Sequence, residues 1–332
     1  MKPAKAKSKR ATRGRRQSNK FTIAIIGAGR VGTALGLALK TSGHSIKISM
    51  ARSASSARRA ARLLQTRGAA VGAKGLAQLS KADRELLQQS SVLIICTPDD
   101  AIPQVAGELG TLMDGPGQDE ADRSNRHRVT LHTSGALTSK VLTPLRDRGS
   151  AVGSLHPLIS ISGDDSGASS FSGIHFAVEG DARAVRLGRQ LVRDLGGDSF
   201  VIDTDAKPLY HAAALMASPN LTALADIAIE MLEHVGISAN RARRILLPLI
   251  NSTVENLVHQ DPRRGLTGTF KRGDIATARM HLAAIASERL TDAMQAYITL
   301  GRRSLKLSDV SRTKRREMET LLDQALDELE RR

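Results

Sequence analysis

Aromatic side chains are almost missing: five Phe, two Tyr and no Trp among 332 residues. That excludes recognition of single-stranded nucleic acid by stacking bases on aromatic platforms. A core has to be built from Leu, Ile, Val and Ala instead. Cysteine is nearly missing too. The one thiol, Cys96, lies inside the apolar run SVLIICTP. No disulfide can form within the chain, and Cys96 reads as a small buried hydrophobe rather than a reactive group. One cysteine and nine scattered histidines without an H-x-x-x-H pair offer no metal site. The G-x-S-x-G elbow of serine hydrolases is missing as well. No apolar run approaches the length of a membrane span, and no secretory signal opens the chain, so a soluble cytoplasmic protein is expected.

Acidic residues are missing from two places that matter. Residues 1–20 carry nine Lys or Arg and no acid, which leaves only +7 of the net charge of +16 to the rest of the chain. Such a segment reads as a disordered basic tail, able to touch polyanions casually but not a dedicated nucleic-acid site. The second gap follows the glycine-rich turn described below: from Ile46 through IKISMARSASSARRA no carboxylate occurs before Asp83.

What is present is an alternation of short apolar runs with amphipathic segments. FTIAII, SIKISM, SVLIICT, RVTLHTS, AVGSLHP, GIHFAVEG and SFVID read as strands. RVGTALGLALKTSG and SASSARRAARLLQTRG read as helices closed at Gly43 and Gly68, and DGPGQDEADRSNRH as a polar surface loop. After Asp203 long helical segments take over. The pattern predicts an α/β fold, a Rossmann-type doubly wound parallel sheet followed by an all-helical C-terminal domain. The expected divisions are a basic tail at 1–20, a dinucleotide-binding domain at 21–203 and a helical substrate and dimerisation domain at 204–332. Long Ala- and Leu-rich helices with apolar residues on more than one face suit a homodimer.

IAIIGAGRVGTALG places Gly27, Gly29 and Gly32 in the G-x-G-x-x-G spacing directly after a strand and at the opening of a helix. In that context Gly27 permits the tight turn, Gly29 lets backbone approach a pyrophosphate, and Gly32 allows close helix–strand packing. Gly27, Ala28, Gly29, Arg30, Val31 and Gly32 are thus the expected phosphate cradle, at the positive end of a helix. Arg52 lies 20 residues beyond Gly32, where an NAD-binding chain places an acid for the ribose hydroxyls. Arg52 and Ser53 suit the 2′-phosphate of NADP instead. Thr97, Pro98 and Asp99, at the end of the next clear strand, are expected beside the same cofactor.

Hydride transfer to a carbonyl also needs a proton donor and a substrate anchor. Lys207, His211 and Ser218 follow helical spacing and share one face of a segment rich in Ala. His156 precedes Pro157 at a strand end, and His132 sits inside a strand as a structural residue. GTFKRGD offers Lys271 and Arg272 in what reads as a mobile basic loop for the carboxylate of a small anionic substrate.

Taken in order, IIGAGRVGTALG, CTPDDAI, LHTSGAL, SLHPLISI, YHAAALMAS and LTGTFKRGD resemble the DUF2520 family over roughly residues 21–300. That family is similar to ketopantoate reductases, prephenate dehydrogenases and pyrroline-carboxylate reductases. The resemblance implies an NADP-dependent oxidoreductase, acting on a ketopantoate-like 2-oxo acid or as an imine or prephenate-type dehydrogenase. A non-catalytic NADP-binding redox sensor is the reading from another class. By likeness to prephenate dehydrogenases, Ser134 and His156 stand at substrate-contacting places. By likeness to ketopantoate reductases, His211 stands at the place of an active-site lysine, which makes it the first choice for proton donor. Pro219 departs from the asparagine of many relatives, with Asn220 one place later as a substrate contact, and Thr269 replaces the proline of their LTGP.

Overall fold

The computed structural model describes residues 20–71, 75–113, 127–161 and 171–331. The basic tail, except Lys20, and most of the polar loop DGPGQDEADRSNRH lie outside the described residues. Two compact units divide the chain between Ala214 and Leu215.

The first unit is built on one eight-stranded sheet in the order β3-β2-β1-β4-β5-β6-β7-β8. The strands are β1 (Thr22–Ile26), β2 (Ser45–Ala51), β3 (Arg67–Ala70), β4 (Val92–Ile95), β5 (Val129–His132), β6 (Ala151–Pro157), β7 (His175–Gly180) and β8 (Asp198–Val201). All pairings from β3 to β6 are parallel; β7 runs antiparallel to β6, and β8 is parallel to β7. The sequence expectation of a doubly wound parallel sheet therefore holds, with a reversed pair added at one edge.

The pleat explains why the strands read as unbroken apolar runs. Ile23 and Ile25 pack on one side with Leu35, Leu39 and Leu64, while Ala24 and Ile26 pack on the other with Ile102 and Leu109. Helices α1 (Arg30–Thr41), α2 (Ala54–Leu64), α3 (Lys81–Gln88), α4 (Ile102–Met113), α5 (Ala182–Asp194) and α6 (Lys207–Ala217) belong to this unit or lead out of it. Four-residue helical turns are left unnumbered. Helix α2 buries Ala57, Ala60 and Leu64 and turns its arginines outward. It stops earlier than its sequence predicts, because Gln65 takes the left-handed conformation at φ 47° and closes the helix before Gly68. Residues 67–70 then form the edge strand β3.

The second unit contains α7 (Pro219–His234), α8 (Ala239–His259), α9 (Ile275–Ser287), α10 (Thr291–Leu307) and α11 (Arg312–Glu330). Its core comes from α9, α10 and α11, through Leu282, Ile285, Met294, Ile298, Leu305, Met318 and Leu322. Helices α7 and α8 contribute little: none of α7 and only Ala242 of α8 is buried. One expectation needs correction. Thr204–His234 contains an 18-residue stretch of mean hydropathy 1.4, long and apolar enough to cross a membrane by length and composition, although the helix breaks at Ser218 before Pro219.

Burial in the sheet has a consequence for stability. Burial holds the imidazoles of His132 and His156 down at about 4. Each stays neutral in the fold but takes up a proton near pH 6.5 once unfolded. Their contribution is complete above pH 6.5 and is lost as pH falls toward 4. Each costs at most about 1.4 kcal/mol per pH unit across that window. Urea unfolding of the protein should show a midpoint that drops between pH 6.5 and 4.5, with a shallower drop in a His132→Asn variant. A flat midpoint over that range would contradict the burial of neutral histidines.

Candidate active site

Four parallel strands deliver their carboxyl ends side by side in the order β2, β1, β4, β5, with β6 next. The chain reverses direction of progress across the sheet between β1 and β4, the place where open α/β sheets form a crevice. Arg52 and Ser53 follow β2, the glycine turn follows β1, Thr97–Asp99 follow β4, Ser134 and Gly135 follow β5, and His156 lies near the end of β6.

A cavity of about 570 Å³ occupies the β2–β1–β4 end, lined among others by Gly27, Ala28, Gly29, Arg52, Ser53 and Thr97. Each glycine has its own reason. Gly27 adopts φ +93°, and a Cβ there would come within 2.6 Å of the Thr97 nitrogen. Nothing lies within 4 Å of where a Gly29 side chain would point, so backbone is open to a ligand at that spot. A side chain at Gly32 would strike the Gly27 carbonyl and approach the Cys96 Cβ to 3.1 Å. Arg30 and Val31 form the first turn of α1, whose leading N–H groups have no intrahelical acceptor.

The β2 end of the cavity is a second helix opening. Ser53 caps α2, its hydroxyl accepting from the Ser56 nitrogen at 3.2 Å and lying 2.9 Å from the Ser56 hydroxyl. Arg52 is exposed beside it. Guanidinium, hydroxyls and helix N-terminus form an anion seat with no carboxylate among the residues of that turn. Pro98 lines the cavity but Asp99 does not; its carboxylate instead accepts from the Ser134 hydroxyl at 2.7 Å. Burial pushes the Cys96 thiol up to about 12, so it stays protonated.

At the β5–β6 end a buried polar network replaces apolar packing. Lys207, the first residue of α6, is fully buried, and its ammonium donates to the Ser134 carbonyl at 3.0 Å and the Ser154 hydroxyl at 2.7 Å. Glu179 is buried beside it and accepts from the Ser139 nitrogen at 3.0 Å and from the hydroxyls of Ser139 at 2.7 Å, Ser154 at 3.2 Å and Thr204 at 2.8 Å. Burial alone would raise the Glu179 carboxyl, but these donors and the charge of Lys207 outweigh it and leave it lowered. Burial pulls the Lys207 ammonium down to about 8 against the attraction of Glu179 and Asp99.

This network gives two of the expected site residues partners within the protein. Lys207 holds the loop after β5. Ser134 is 4% exposed; its hydroxyl donates to Asp99 and accepts from Ala136 and Leu137 nitrogens, so it shapes the turn. His132 is structural as expected, with Nδ1 accepting from the Ser134 nitrogen at 3.2 Å.

His156 and His211 do come together. Their rings meet edge to face at 5.4 Å, and both press on Gly135. A Cβ at residue 135 would lie 2.8 Å from His156 Nε2 and would collide with His211 Nδ1. His156 Nδ1 sits 2.7 Å from the Tyr210 hydroxyl. Burial first, then the nearby charges of His211 and Lys207, pull His156 down to about 4; burial lifts Tyr210 to about 12. Both are therefore neutral near pH 7. Tyr210 is the residue that sequence reasoning missed. Its signal was available: it adjoins His211 and lies one helical turn from Lys207.

Other expected contacts belong to the second unit and have partners of their own. Ser218 precedes α7 without capping it, and Asn220 donates to the Met216 sulfur at 3.0 Å. The basic loop is a helical turn, Thr269–Arg272. Within it Lys271 pairs with Asp309 at 2.8 Å and Arg272 with Asp274 at 2.8 Å. Among the described residues no group of three or more His, Cys, Asp or Glu is placed to hold a metal ion.

Comparison with known proteins agrees with this anatomy. Residues 7–157 match the Rossmann-like domain, and residues 174–304 match DUF2520, a domain of unknown function. Among curated proteins none matches the chain. A provisionally named NADP oxidoreductase from Bacteroides fragilis shares the fold at TM-score 0.65 and 20% identity, over 86% of this chain and 98% of its own. A Thermotoga maritima protein does so at 0.56 and 23% identity, over 93% and 100%. An imine reductase from Pseudomonas sp. follows at 0.52 and 15%, over 93% and 95%. The fold is thus shared with a protein named as an NADP oxidoreductase and with an imine reductase. The chain joins a Rossmann-like domain to a DUF2520 domain, the family that its motifs resemble.

Proposed function

We propose that this protein is an NADP-dependent oxidoreductase that reduces a small 2-oxo acid of the ketopantoate kind. The observation that carries the reading is the row of strand ends. It has an anion seat at Arg52 and Ser53, an open glycine turn at its centre, and the His156–His211 pair at its other end. The cofactor, when bound, supplies the hydride. The chain's own task is to cradle the phosphates on the first turn of α1, to hold the 2′-phosphate at Arg52 and Ser53, and to deliver a proton to the substrate oxygen.

His156 suits the proton-delivering role better than His211, which reverses their order in the sequence. His156 has a polar partner on Nδ1 that fixes the ring, whereas His211 Nδ1 is buried against Gly135 without a hydrogen-bond partner among the described residues. A neutral imidazole acts as an electrophilic hydrogen-bond donor where a cation is too costly to bury, and the proton it passes to the alkoxide is replaced on the ring from solvent. An imine substrate would use the same donor, and it is the second reading because the imine reductase shares the fold.

The exposed apolar helices support a homodimer. Leu221, Leu224, Ile245, Leu249, Leu257 and Val258 are all exposed on α7 and α8. Exposed apolar side chains in that number on two helices are surface that an interface would cover.

Three outcomes test these proposals. NADPH should bind at least about tenfold more tightly than NADH, equivalent to about 1.4 kcal/mol, and Arg52→Asp should erase the preference; equal affinities in the natural protein would sink the NADP assignment. Steady-state NADPH oxidation with a panel of 2-oxo acids and imines should fall by roughly 10²–10⁴ in His156→Ala, with less loss in His211→Ala and cofactor affinity intact in both. Tight NADPH binding with no turnover across the panel would favour a redox sensor. Light scattering at micromolar concentration should give twice the chain mass, and a monomer would contradict the interface.

A further inference from the structure

The Tyr210 hydroxyl, placed 2.7 Å from His156 Nδ1, has no second hydrogen-bond partner among the described residues. An imidazole that stays neutral has one donor nitrogen and one acceptor nitrogen, and the bond made by one decides the state of the other. Here the half-buried phenol has a proton to give, and His156 Nδ1 is the acceptor that the described residues place beside it. Were Nδ1 protonated instead, the phenol oxygen would have to accept and its own proton would be left to solvent.

We propose that Tyr210 is a positioning residue that locks His156 in the tautomer carrying its proton on Nε2, the nitrogen that faces Gly135. The consequence is a donor already turned toward the gap that only glycine leaves there, since a Cβ at 135 would stand 2.8 Å from Nε2. The ring cannot swing away easily: Tyr210 meets it edge on at 5.7 Å, His211 meets it edge on at 5.4 Å, and Phe200 backs Tyr210 at 5.9 Å. Tyr210 and His211 reach it from α6, while His156 itself is fixed in β6 by pairing with Ala177. Burial first, then His211 and Lys207, disfavour a protonated His156. The phenol, lifted to about 12 by burial, keeps its proton through the physiological range.

The inference rests on the reading of His156 as the donor to substrate, but its first test does not. Nitrogen NMR of ¹⁵N-histidine-labelled protein reports the tautomer of His156 directly, assigned by loss of its signals in His156→Gln. The expected spectrum shows a protonated Nε2 and a bare Nδ1 near pH 7. Tyr210→Phe, which keeps the ring contacts, should mix the two tautomers and raise the pH at which His156 titrates. In that variant kcat should drop roughly tenfold, about the worth of one neutral hydrogen bond, with KM and NADPH affinity unchanged. A protonated Nδ1 in the natural protein would overturn the proposal without any enzyme assay. An unaltered tautomer and titration in Tyr210→Phe would overturn it too. The expected tautomer with no turnover on any substrate would leave the lock intact and count against the catalytic reading alone.

Discussion

A single buried ammonium organises the β5–β6 end of the first unit. Lys207 is enclosed completely, and a charge so placed is tolerated only with close partners. It finds them in the Ser134 carbonyl and the Ser154 hydroxyl, with the carboxylates of Glu179 and Asp99 supplying opposite charge. Because Lys207 opens α6, satisfying its charge also fixes where that helix starts and which face it turns to the sheet. Tyr210 and His211, about one turn on, are thereby set over His156 and Gly135.

The same constraint links the two ends of the row. Asp99 belongs to the turn after β4 that flanks the cavity at the glycine turn, and its carboxylate receives the Ser134 hydroxyl. Ser134 in turn passes its carbonyl to Lys207. A chain of hydrogen bonds thus runs from beside the glycine turn to the base of the histidine pair. Sheet order alone would align the strand ends; the polar network holds the loops between them in register, where a purely apolar core would fix volume but not direction.

Much of this was legible in the sequence, for reasons that are physical. Strands buried on both faces must read as unbroken apolar runs, and a glycine turn after such a run needs its glycines wherever a Cβ would collide, as at Gly27 and Gly32. The edge strand β3 escaped, because RGAA carries no period, and so did the stop at Gln65, which adopts a conformation usually left to glycine. In the site, residue types that can act on substrate were found, but their roles were not. Lys207 and Ser134 look like ligand contacts in sequence because burial is invisible there, and their commitment to Glu179, Ser154 and Asp99 depends on residues far along the chain. Tyr210 was passed over because a tyrosine in a helix is ordinarily packing; only the 2.7 Å approach to His156 gives it chemistry.

The central claim is that one row of strand ends holds the cofactor with its adenosine phosphate at Arg52 and its reactive ring beside His156. A crystal structure of the protein with NADP⁺ measures this directly. The account predicts the 2′-phosphate within hydrogen-bond distance of the Arg52 guanidinium and the Ser53 hydroxyl, the pyrophosphate on the first turn of α1, and the nicotinamide at the β4–β5 end facing the His156–His211 pair. A 2′-phosphate in solvent away from Arg52, or a nicotinamide directed away from the two histidines, would contradict it.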